Sequence, residues 1–140
     1  MACVFCDIVA GREPASVVFR DDRVMAFLDL TPINLGHTLV IPLRHADTLD
    51  DLDPTSYTRV FEVGRDIAAA LRRSPLRADG ILMTLVDGEA AGQDVFHPHL
   101  HVVPRFPGDG FKVDVAWVDP PPPRTLLDEH TAMLRTAFES

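Results

Sequence analysis

Three histidines alternate with apolar residues in the second half of the chain, at positions His97, His99 and His101. Pro98 and Pro104 make a helix implausible here, because proline lacks a backbone donor and breaks the helical pattern. In an extended strand alternate residues share a face, and two steps of about 3.3 Å place neighbouring imidazoles about 6.5 Å apart. The spacing therefore predicts a strand over residues 95–104 that carries three imidazoles on one face.

Two kinds of chemistry suit such a face. A neutral ring nitrogen can attack phosphorus and form a phosphoramidate, while adjacent rings donate to phosphate oxygens or pass a proton to the leaving group. The same His-x-His spacing also suits a metal ion, and the bare pattern leaves both open. We expect the backbone N–H groups of residues 88–93, a loop with two glycines, to hold a phosphate oxygen.

A second candidate site begins the chain. Cys3 and Cys6 have the two-residue spacing of a zinc half-site, which needs two further ligands from elsewhere. Two cysteines are too few for a disulfide framework. A redox pair and two free thiols are the alternatives to zinc.

Length and composition limit the classes of protein that fit. A chain of 140 residues with 46% hydrophobic residues predicts one domain, residues 1–140, with a C-terminal tail and helix from about 107. The net charge of −8 disfavours a nucleic-acid partner. No apolar run approaches the ~20 residues of a membrane span, and no signal peptide is evident. We expect a cytoplasmic protein without a membrane partner.

Hydrophobic periodicity predicts an α+β fold with a largely antiparallel sheet. Asp53 followed by Pro54 is a typical helix start, a cap and then proline at the first helical position. The predicted strands cover residues 17–20, 23–30, 37–43, 81–86 and 95–104. The predicted helices cover residues 3–10, residues 53–73 and a C-terminal segment around 126–138.

Taken together, these segments resemble the histidine-triad (HIT) superfamily, and its bacterial Hint-like branch most closely. The superfamily signature is His-φ-His-φ-His-φ-φ, where φ is apolar, and residues 97–103 fit it at every position. Residues 3–8, 21–29, 36–42 and 91–93 also match. The resemblance implies a five-stranded antiparallel sheet with a long helix and a C-terminal helix. It also implies a homodimer with residues 53–73 and 81–86 at the interface.

The resemblance further implies a nucleotide hydrolase that acts at the α-phosphate of nucleoside phosphoramidates, acyl nucleotides or dinucleoside polyphosphates, with a purine nucleotide as substrate. By the family pattern His99 is the nucleophile and carries a transient nucleotidyl group, His101 contacts phosphate, and His37 orients the triad. A nucleotidyltransferase or phosphorylase and a non-catalytic nucleotide-binding adaptor are the alternatives. His101 favours hydrolysis, since transferase branches often carry glutamine there, whereas Pro98 is a mild indication of the transferases.

The family pattern also assigns the residues around the triad. The base and ribose pocket corresponds to Phe5, Ile8, Phe27, Asp29 and Leu30, and the phosphate segment to Gly92, Gln93 and Asp94. A structural zinc with no open position corresponds to Cys3, Cys6, His45 and His97, so His97 is expected to turn from the catalytic face toward the metal.

Two positions depart from the pattern. Val86 stands where many members carry a polar Asn, and Asp94 where Ser or Thr is common. A carboxylate near phosphate is repelled unless it is protonated or paired. Asp94 therefore either favours a cationic or amine leaving group, or serves as a proton donor, or turns away to cap a loop amide.

Overall fold

A computed structural model describes residues 2–140. Its strands are β1 (Val17–Arg20), β2 (Val24–Leu28), β3 (Thr38–Pro42), β4 (Gly80–Thr84) and β5 (Leu100–Arg105), and its α-helices are α1 (Val4–Val9), α2 (Pro54–Arg73) and α3 (Arg124–Glu139). The strands form one sheet in the order β1-β2-β3-β5-β4, and every neighbouring pair is antiparallel. The predicted α+β class and the five-stranded antiparallel sheet are confirmed.

The long helix α2 starts as the sequence predicts. The Asp53 carboxylate accepts a hydrogen bond from the backbone N–H of Ser56 at 3.0 Å, which satisfies one of the free donors of the first turn. Side-chain hydrogen bonds from Thr55 and Ser56 lower the pKa of Asp53 to about 2. Pro54 occupies the first turn, where a missing N–H costs nothing.

Alternation along β2 divides the core into two layers. Val24 and Ala26 are buried on the face that α2 covers, whereas Met25 and Phe27 are buried on the opposite face, against Phe5 of α1. A Cβ atom added at Gly64 of α2 would lie 2.5 Å from a methyl carbon of Leu100, so the missing side chain lets α2 approach β5 closely. This close contact fixes the strand that carries the last triad histidine.

The histidine strand is shorter than predicted, and this is a correction. β5 begins at Leu100, so of the three histidines only His101 lies in a strand, while His97 lies in a bend and His99 just before the strand. The ladder with β3 ends at the pair Val40 and Leu100, and Pro98 has no N–H with which to extend it. β2 and β4 also end two residues before their predicted ends.

The segment after β5 forms an arm, which we define as residues 107–140. Arg105 and Asp109 fix its start through a two-point ion pair with N···O distances of 2.6 and 2.8 Å. The arm then runs through four prolines, residues 120–123, into α3, every residue of which is exposed. Within residues 2–140, no helix combines the length and the apolar character that crossing a membrane requires.

Candidate functional site

His99 lies at the centre of the candidate site with one ring nitrogen fixed and the other free. Its Nδ1 lies 2.8 Å from the backbone carbonyl oxygen of His97, which can only accept, so Nδ1 carries the proton. Nε2 makes no hydrogen bond within residues 2–140, and no fully buried side-chain nitrogen or oxygen of that range lacks a partner, so Nε2 keeps some contact with solvent although His99 is only 4% exposed. The carbonyl therefore selects the tautomer whose Nε2 lone pair faces outward.

A chain of hydrogen bonds fixes the neighbouring imidazoles in the same way. The backbone N–H of Ile33 donates to Nδ1 of His37 at 3.1 Å, so a neutral His37 carries its proton on Nε2. That Nε2 lies 2.9 Å from Nδ1 of His101 and donates to it, which leaves the proton of His101 on its Nε2. The rings of His99 and His101 are 5.0 Å apart between centroids. The Nε2–H donor of His101 and the Nε2 lone pair of His99 therefore lie on neighbouring rings.

The tautomer chain requires neutral rings, and burial keeps them neutral. Burial first, and then the neighbouring imidazoles of His99 and His37, lower the pKa of His101 to about 4, although the Asp29 and Asp94 carboxylates oppose this shift. Burial also lowers the pKa of His37, although the Asp29 carboxylate, 3.6 Å from its Nε2, opposes this shift. At neutral pH both rings are therefore uncharged hydrogen-bond relays.

The lowered pKa of His101 predicts an acid-dependent loss of stability. The unfolded chain binds a proton at this residue near pH 6.5 but the folded chain only near pH 4, so the free energy of unfolding falls as the pH falls through that interval. We expect His101→Gln to flatten the slope, measured by urea unfolding at half-unit steps from pH 7.5 to 4. His130→Gln, at an exposed position of α3, is the control and should keep the parent slope. Equal slopes in all three proteins would contradict the prediction.

The residues predicted to hold base and ribose surround one cavity beside the histidines. Its volume is about 200 Å³, and all five of them line it: Phe5, Ile8, Phe27, Asp29 and Leu30. Phe5 joins the cavity to the histidines, because its ring centroid lies 5.1 Å from that of His99. Asp29 already accepts hydrogen bonds from the backbone N–H and hydroxyl of Thr31 through one oxygen.

The loop of residues 88–93 is built differently from the prediction. Its N–H groups at Gly88, Ala91, Gly92 and Gln93 all donate within the loop, so they are not free to hold a phosphate oxygen. The side chain of Gln93 is buried and fully used: its carbonyl accepts from Gly88, and its amide donates to the carbonyls of Asp47 and Val95. Gln93 therefore shapes the loop from inside.

Asp94 takes the capping arrangement. One carboxylate oxygen accepts from the N–H of Val95 at 2.9 Å, and the residue is exposed. The negative charge of Asp94 acts on His101, where it opposes the lowering of the pKa. The carboxylate thus caps the loop and also contributes to the field at the histidines.

The two cysteines lie beside two histidines at the N-terminal end of α1. Sγ of Cys3 lies 3.5 Å from Nδ1 of His97, and Sγ of Cys6 lies 3.7 Å from the same atom and 3.4 Å from Nδ1 of His45. Tetrahedral zinc, with Zn–S of about 2.3 Å and Zn–N of about 2.05 Å, places S and N about 3.5 Å apart. The four donor atoms therefore have the spacing that such an ion needs.

Second contacts hold both imidazoles of this cluster. The opposite nitrogen of His97 donates to the carbonyl of Pro42 at 2.8 Å, and that of His45 lies 2.9 Å from the carboxylate of Asp47. Each Nδ1 lone pair consequently faces the sulfurs, as in metal sites whose histidines are oriented by an oxygen acceptor. Burial, with the neighbouring Cys3 thiol, raises the pKa of Cys6 to about 11 in the chain alone. A cation beside Cys6 would be needed to hold its thiol as a thiolate at neutral pH.

Comparison with known proteins identifies the family. The sequence model of the HIT domain matches residues 10–108, which include the sheet, α2 and all three histidines. The chain belongs to the HIT family. An uncharacterised HIT-like protein of Mycobacterium tuberculosis is 45% identical over 116 residues, which are 83% of this HIT protein and 78% of that one.

Solved HIT structures share the whole outline. A HIT family protein from Bacillus anthracis superposes with a TM-score of 0.88 at 33% identity, and the match covers 96% of each chain. A histidine triad family protein from Mycobacterium smegmatis, described as Zn-bound, matches with a TM-score of 0.77 at 43% identity over 98% of each chain. The predicted membership of the HIT superfamily is confirmed.

Four contacts of this HIT site were not predicted. The N–H of Ile33 and the carbonyls of Pro42 and His97 fix imidazole tautomers, but backbone groups carry no sequence signal. The contact of Asp47 with His45 did have a sequence signal. A carboxylate two residues after a candidate histidine ligand is placed to accept a hydrogen bond from the second ring nitrogen of that histidine. Arg105, which follows the triad by four residues, forms an ion pair with Asp109.

Proposed function

We propose that this HIT protein is a nucleotide hydrolase that acts at the α-phosphate through a covalent nucleotidyl-His99 intermediate. The observation that carries the proposal is the tautomer of His99, whose Nδ1–H is held by the His97 carbonyl while Nε2 is left unprotonated and accessible. A neutral imidazole with an exposed lone pair is a competent nucleophile toward phosphorus.

In the first step Nε2 of His99 attacks the α-phosphorus, a P–N bond forms, and the bond from phosphorus to the leaving group breaks. An amine leaving group departs as the neutral amine, with one proton taken from solvent. Negative charge grows on the phosphoryl oxygens in this step. Nε2–H of His101 is the donor that faces them, because Nδ1 of that ring accepts from His37. His37 does not touch the substrate, and we assign it as a positioning residue for His101.

In the second step water attacks the same phosphorus and the P–N bond breaks, which releases a nucleoside monophosphate and restores neutral His99. The water gives up one proton, which passes to solvent and balances the proton that the leaving group took up in the first step. The lowered pKa values of His101 and His37 keep both rings neutral at neutral pH, so Nε2–H of His101 still donates to the phosphoryl oxygens in this step.

The apolar cavity beside Phe5 supports a purine nucleoside as the group transferred to His99. Phe5 and Phe27 present aromatic surface, with their centroids 5.6 Å apart at an interplanar angle of 65°. The Asp29 carboxylate lies on the same wall and has a second oxygen for ribose hydroxyls. Base and ribose would then occupy this cavity, with the α-phosphate beside His99.

The charge of Asp94 affects which leaving group the proposed reaction favours. We propose that its exposed carboxylate favours substrates whose leaving group is an amine or carries positive charge, as in a nucleoside phosphoramidate. Its capping bond to Val95 fixes the carboxylate without removing its charge. Dinucleoside polyphosphates, whose leaving group is strongly anionic, would be the poorer substrates.

A substrate panel tests the proposed activity. The panel contains adenosine and guanosine phosphoramidates, aminoacyl adenylates and diadenosine polyphosphates, each with and without inorganic phosphate. We expect nucleoside monophosphate release, fastest from phosphoramidates with a cationic amine, and Asp94→Ser should reduce that preference by about 5-fold, the size of one exposed charge interaction of roughly 1 kcal/mol. Products that contain the added phosphate would indicate a phosphorylase, and tight nucleotide binding without turnover would indicate an adaptor.

We propose zinc as the ion held by Cys3, Cys6, His45 and His97. The support is the S···N spacing, the oxygen partners of both imidazoles, and the description of the similar Mycobacterium smegmatis protein as Zn-bound. Four protein ligands leave no open position, so the role is structural. The ion would join α1, and with it Phe5, to the segment before β5.

We also propose a homodimer in which α2 and β4 meet their counterparts. β4 is an edge strand of the sheet, and Met83 on it is exposed together with Tyr57 and Phe61 of α2. Exposed apolar residues on neighbouring elements are typical of an interface.

We propose the cytoplasm as the compartment of this protein. It is a reducing compartment, which suits the two unpaired cysteines that the zinc proposal requires as thiolates.

A further inference from the structure

The turn that precedes β3, residues 33–37, brings His37 to His101, and two hydrogen bonds within this turn end on His37. The backbone N–H of His37 donates to the carbonyl of Asn34 at 3.0 Å, and the backbone N–H of Ile33 donates to the ring of His37. The orientation of this ring therefore depends on the position of residues 33 and 34. A shift of the turn relative to β5 would lengthen the 2.9 Å contact between His37 and His101.

Ladder hydrogen bonds do not hold this turn against β5. The pairing of β3 with β5 ends at Thr38 and Val102, one residue short of the turn. Within residues 2–140, the hydrogen bonds that join residues 29–37 to residues 102–111 all come from the side chain of Asn34. The turn therefore depends on this one side chain for its polar contact with the end of β5.

The amide group of Asn34 donates both of its N–H bonds. Its nitrogen lies 2.8 Å from the carbonyl oxygen of Pro104 and 2.8 Å from Oδ2 of Asp109. A carbonyl and an ionised carboxylate can only accept, so the amide is fixed with its nitrogen toward these two oxygens. One side chain thus joins the turn to β5 at Pro104 and to the residues that follow β5 at Asp109.

The acceptor Asp109 is itself held in one position. Besides its ion pair with Arg105, its carboxylate accepts from the backbone N–H groups of Phe106 and Phe111 at 3.1 and 3.2 Å, and its side chain is only 6% exposed. The hydrogen bonds from Arg105, and then that from Phe106, hold the pKa of Asp109 well below its usual range. At neutral pH Asp109 is therefore an ionised acceptor, tied by Arg105 to the strand that carries His101.

From these contacts we propose that Asn34 is a positioning residue for the pair of imidazoles His37 and His101. Its amide holds the turn at the distance from β5 at which Nε2–H of His37 donates to Nδ1 of His101, and this contact keeps the proton of His101 on Nε2. Asp109, fixed by Arg105, is the anchor of the amide. The expected effect on turnover rests on the proposed hydrolase, whereas the expected effect on the two tautomers does not.

Nitrogen NMR of protein with isotope-labelled histidine measures the tautomers directly, because protonated and unprotonated ring nitrogens resonate far apart. In the parent we expect a protonated Nε2 and an unprotonated Nδ1 in both His37 and His101. Asn34→Ser removes the amide without adding charge, so the two nitrogen signals of each ring should move toward an average value, as in a free imidazole that exchanges tautomers. Parent-like signals of both rings in Asn34→Ser overturn the proposal.

A matched control separates positioning from a general loss of stability. Val63→Ala shortens a buried side chain of α2 in the core, so it lowers the melting temperature but leaves the turn and the end of β5 unchanged. We expect Val63→Ala to keep the parent tautomers and the parent kcat. In the phosphoramidate assay Asn34→Ser should lower kcat by about 10–100-fold, because a misplacement of about 1 Å costs this much. Equal loss of the tautomers in both variants would indicate a merely structural role and overturn the proposal.

A measurement on the parent protein keeps the proposal testable if Asn34→Ser does not fold. Asn34 is the only asparagine of the chain, so isotope-labelled asparagine gives one side-chain amide. We expect both of its N–H protons to exchange slowly with solvent, and one to show a coupling across the hydrogen bond to the carboxyl carbon of Asp109. Rapid exchange of both protons overturns the positioning role, even if the parent hydrolyses phosphoramidates. Slow exchange with the expected tautomers in an inactive parent would instead refute the hydrolase alone.

Discussion

Replacement of His99 by alanine is expected to lower turnover by at least about 10³-fold, because the nucleophile that forms the covalent intermediate is removed. The expected loss is in kcat more than in KM, since the cavity beside Phe5 that is proposed to bind the nucleoside is unchanged. Rapid acid quench is unsuitable for a P–N bond, so the adduct should be trapped by mild denaturation. Intact-mass spectrometry would then show one added nucleotidyl group on the parent chain and none on His99→Ala.

A matched control separates this effect from the loss of any histidine. His130→Ala removes an exposed imidazole from α3, and it should keep parent kinetics and the parent adduct. His99→Gly with added free imidazole should recover part of the activity, because a diffusible imidazole can occupy the same space and attack phosphorus. An adduct that persists on the His99→Ala chain would place the nucleophile elsewhere and contradict the mechanism.

Loss of zinc is the second large effect that we expect. Cys3→Ser should reduce zinc from about one ion per chain and lower the free energy of unfolding by about 4 kcal/mol, the contribution of a ligand present at about 1,000 times its Kd. For a domain of this size the melting temperature would fall by roughly 10–20 °C. Elemental analysis and thermal unfolding of the same samples measure both quantities.

The controls for zinc are a chelator and a variant of Asp47, which is the hydrogen-bond partner of the ligand His45. A strong chelator should lower the melting temperature of the parent to that of Cys3→Ser and leave the variant unchanged. Asp47→Asn keeps all four ligands but weakens the acceptor of His45, so zinc affinity should fall by about 10–100-fold while a stoichiometric ion is still bound at saturation. Metal-free parent protein with undiminished stability would refute the zinc site, and sensitivity to reductant alone would indicate a redox pair.

The pattern of side chains along the sequence predicted most of the features that depend on local side-chain contacts, such as strand faces and helix starts. In a strand over residues 23–30, simple alternation places Val24 and Ala26 on one face and Met25 and Phe27 on the other, and the structure has this division. The pair Asp53 and Pro54 located the start of α2, because capping and proline geometry are local. Features that are set within a few residues are thus readable from the sequence alone.

Features that depend on distant backbone groups were not readable. The ladder between β5 and β3 ends at the pair Val40 and Leu100, although β3 itself continues to Pro42, so the start of β5 depends on pairing across the sheet. The N–H groups of the 88–93 loop were expected to face substrate, but those of Gly88, Ala91, Gly92 and Gln93 bond within the loop, and the buried Gln93 side chain is one of the acceptors. The bare position of α3 could not be anticipated either, because its amphipathic pattern is the same whether it covers its own body or another.

His97 contributes to two neighbouring sites through different atoms. Its imidazole faces the sulfurs of Cys3 and Cys6, while its backbone oxygen holds the proton of His99. Every amino acid has that backbone oxygen, so the proposed reaction does not require the imidazole side chain of His97. Evolution could therefore exchange this histidine for another metal-binding residue, or abandon the metal and the histidine together, without dismantling the reaction. A search that demands all three histidines would overlook such enzymes.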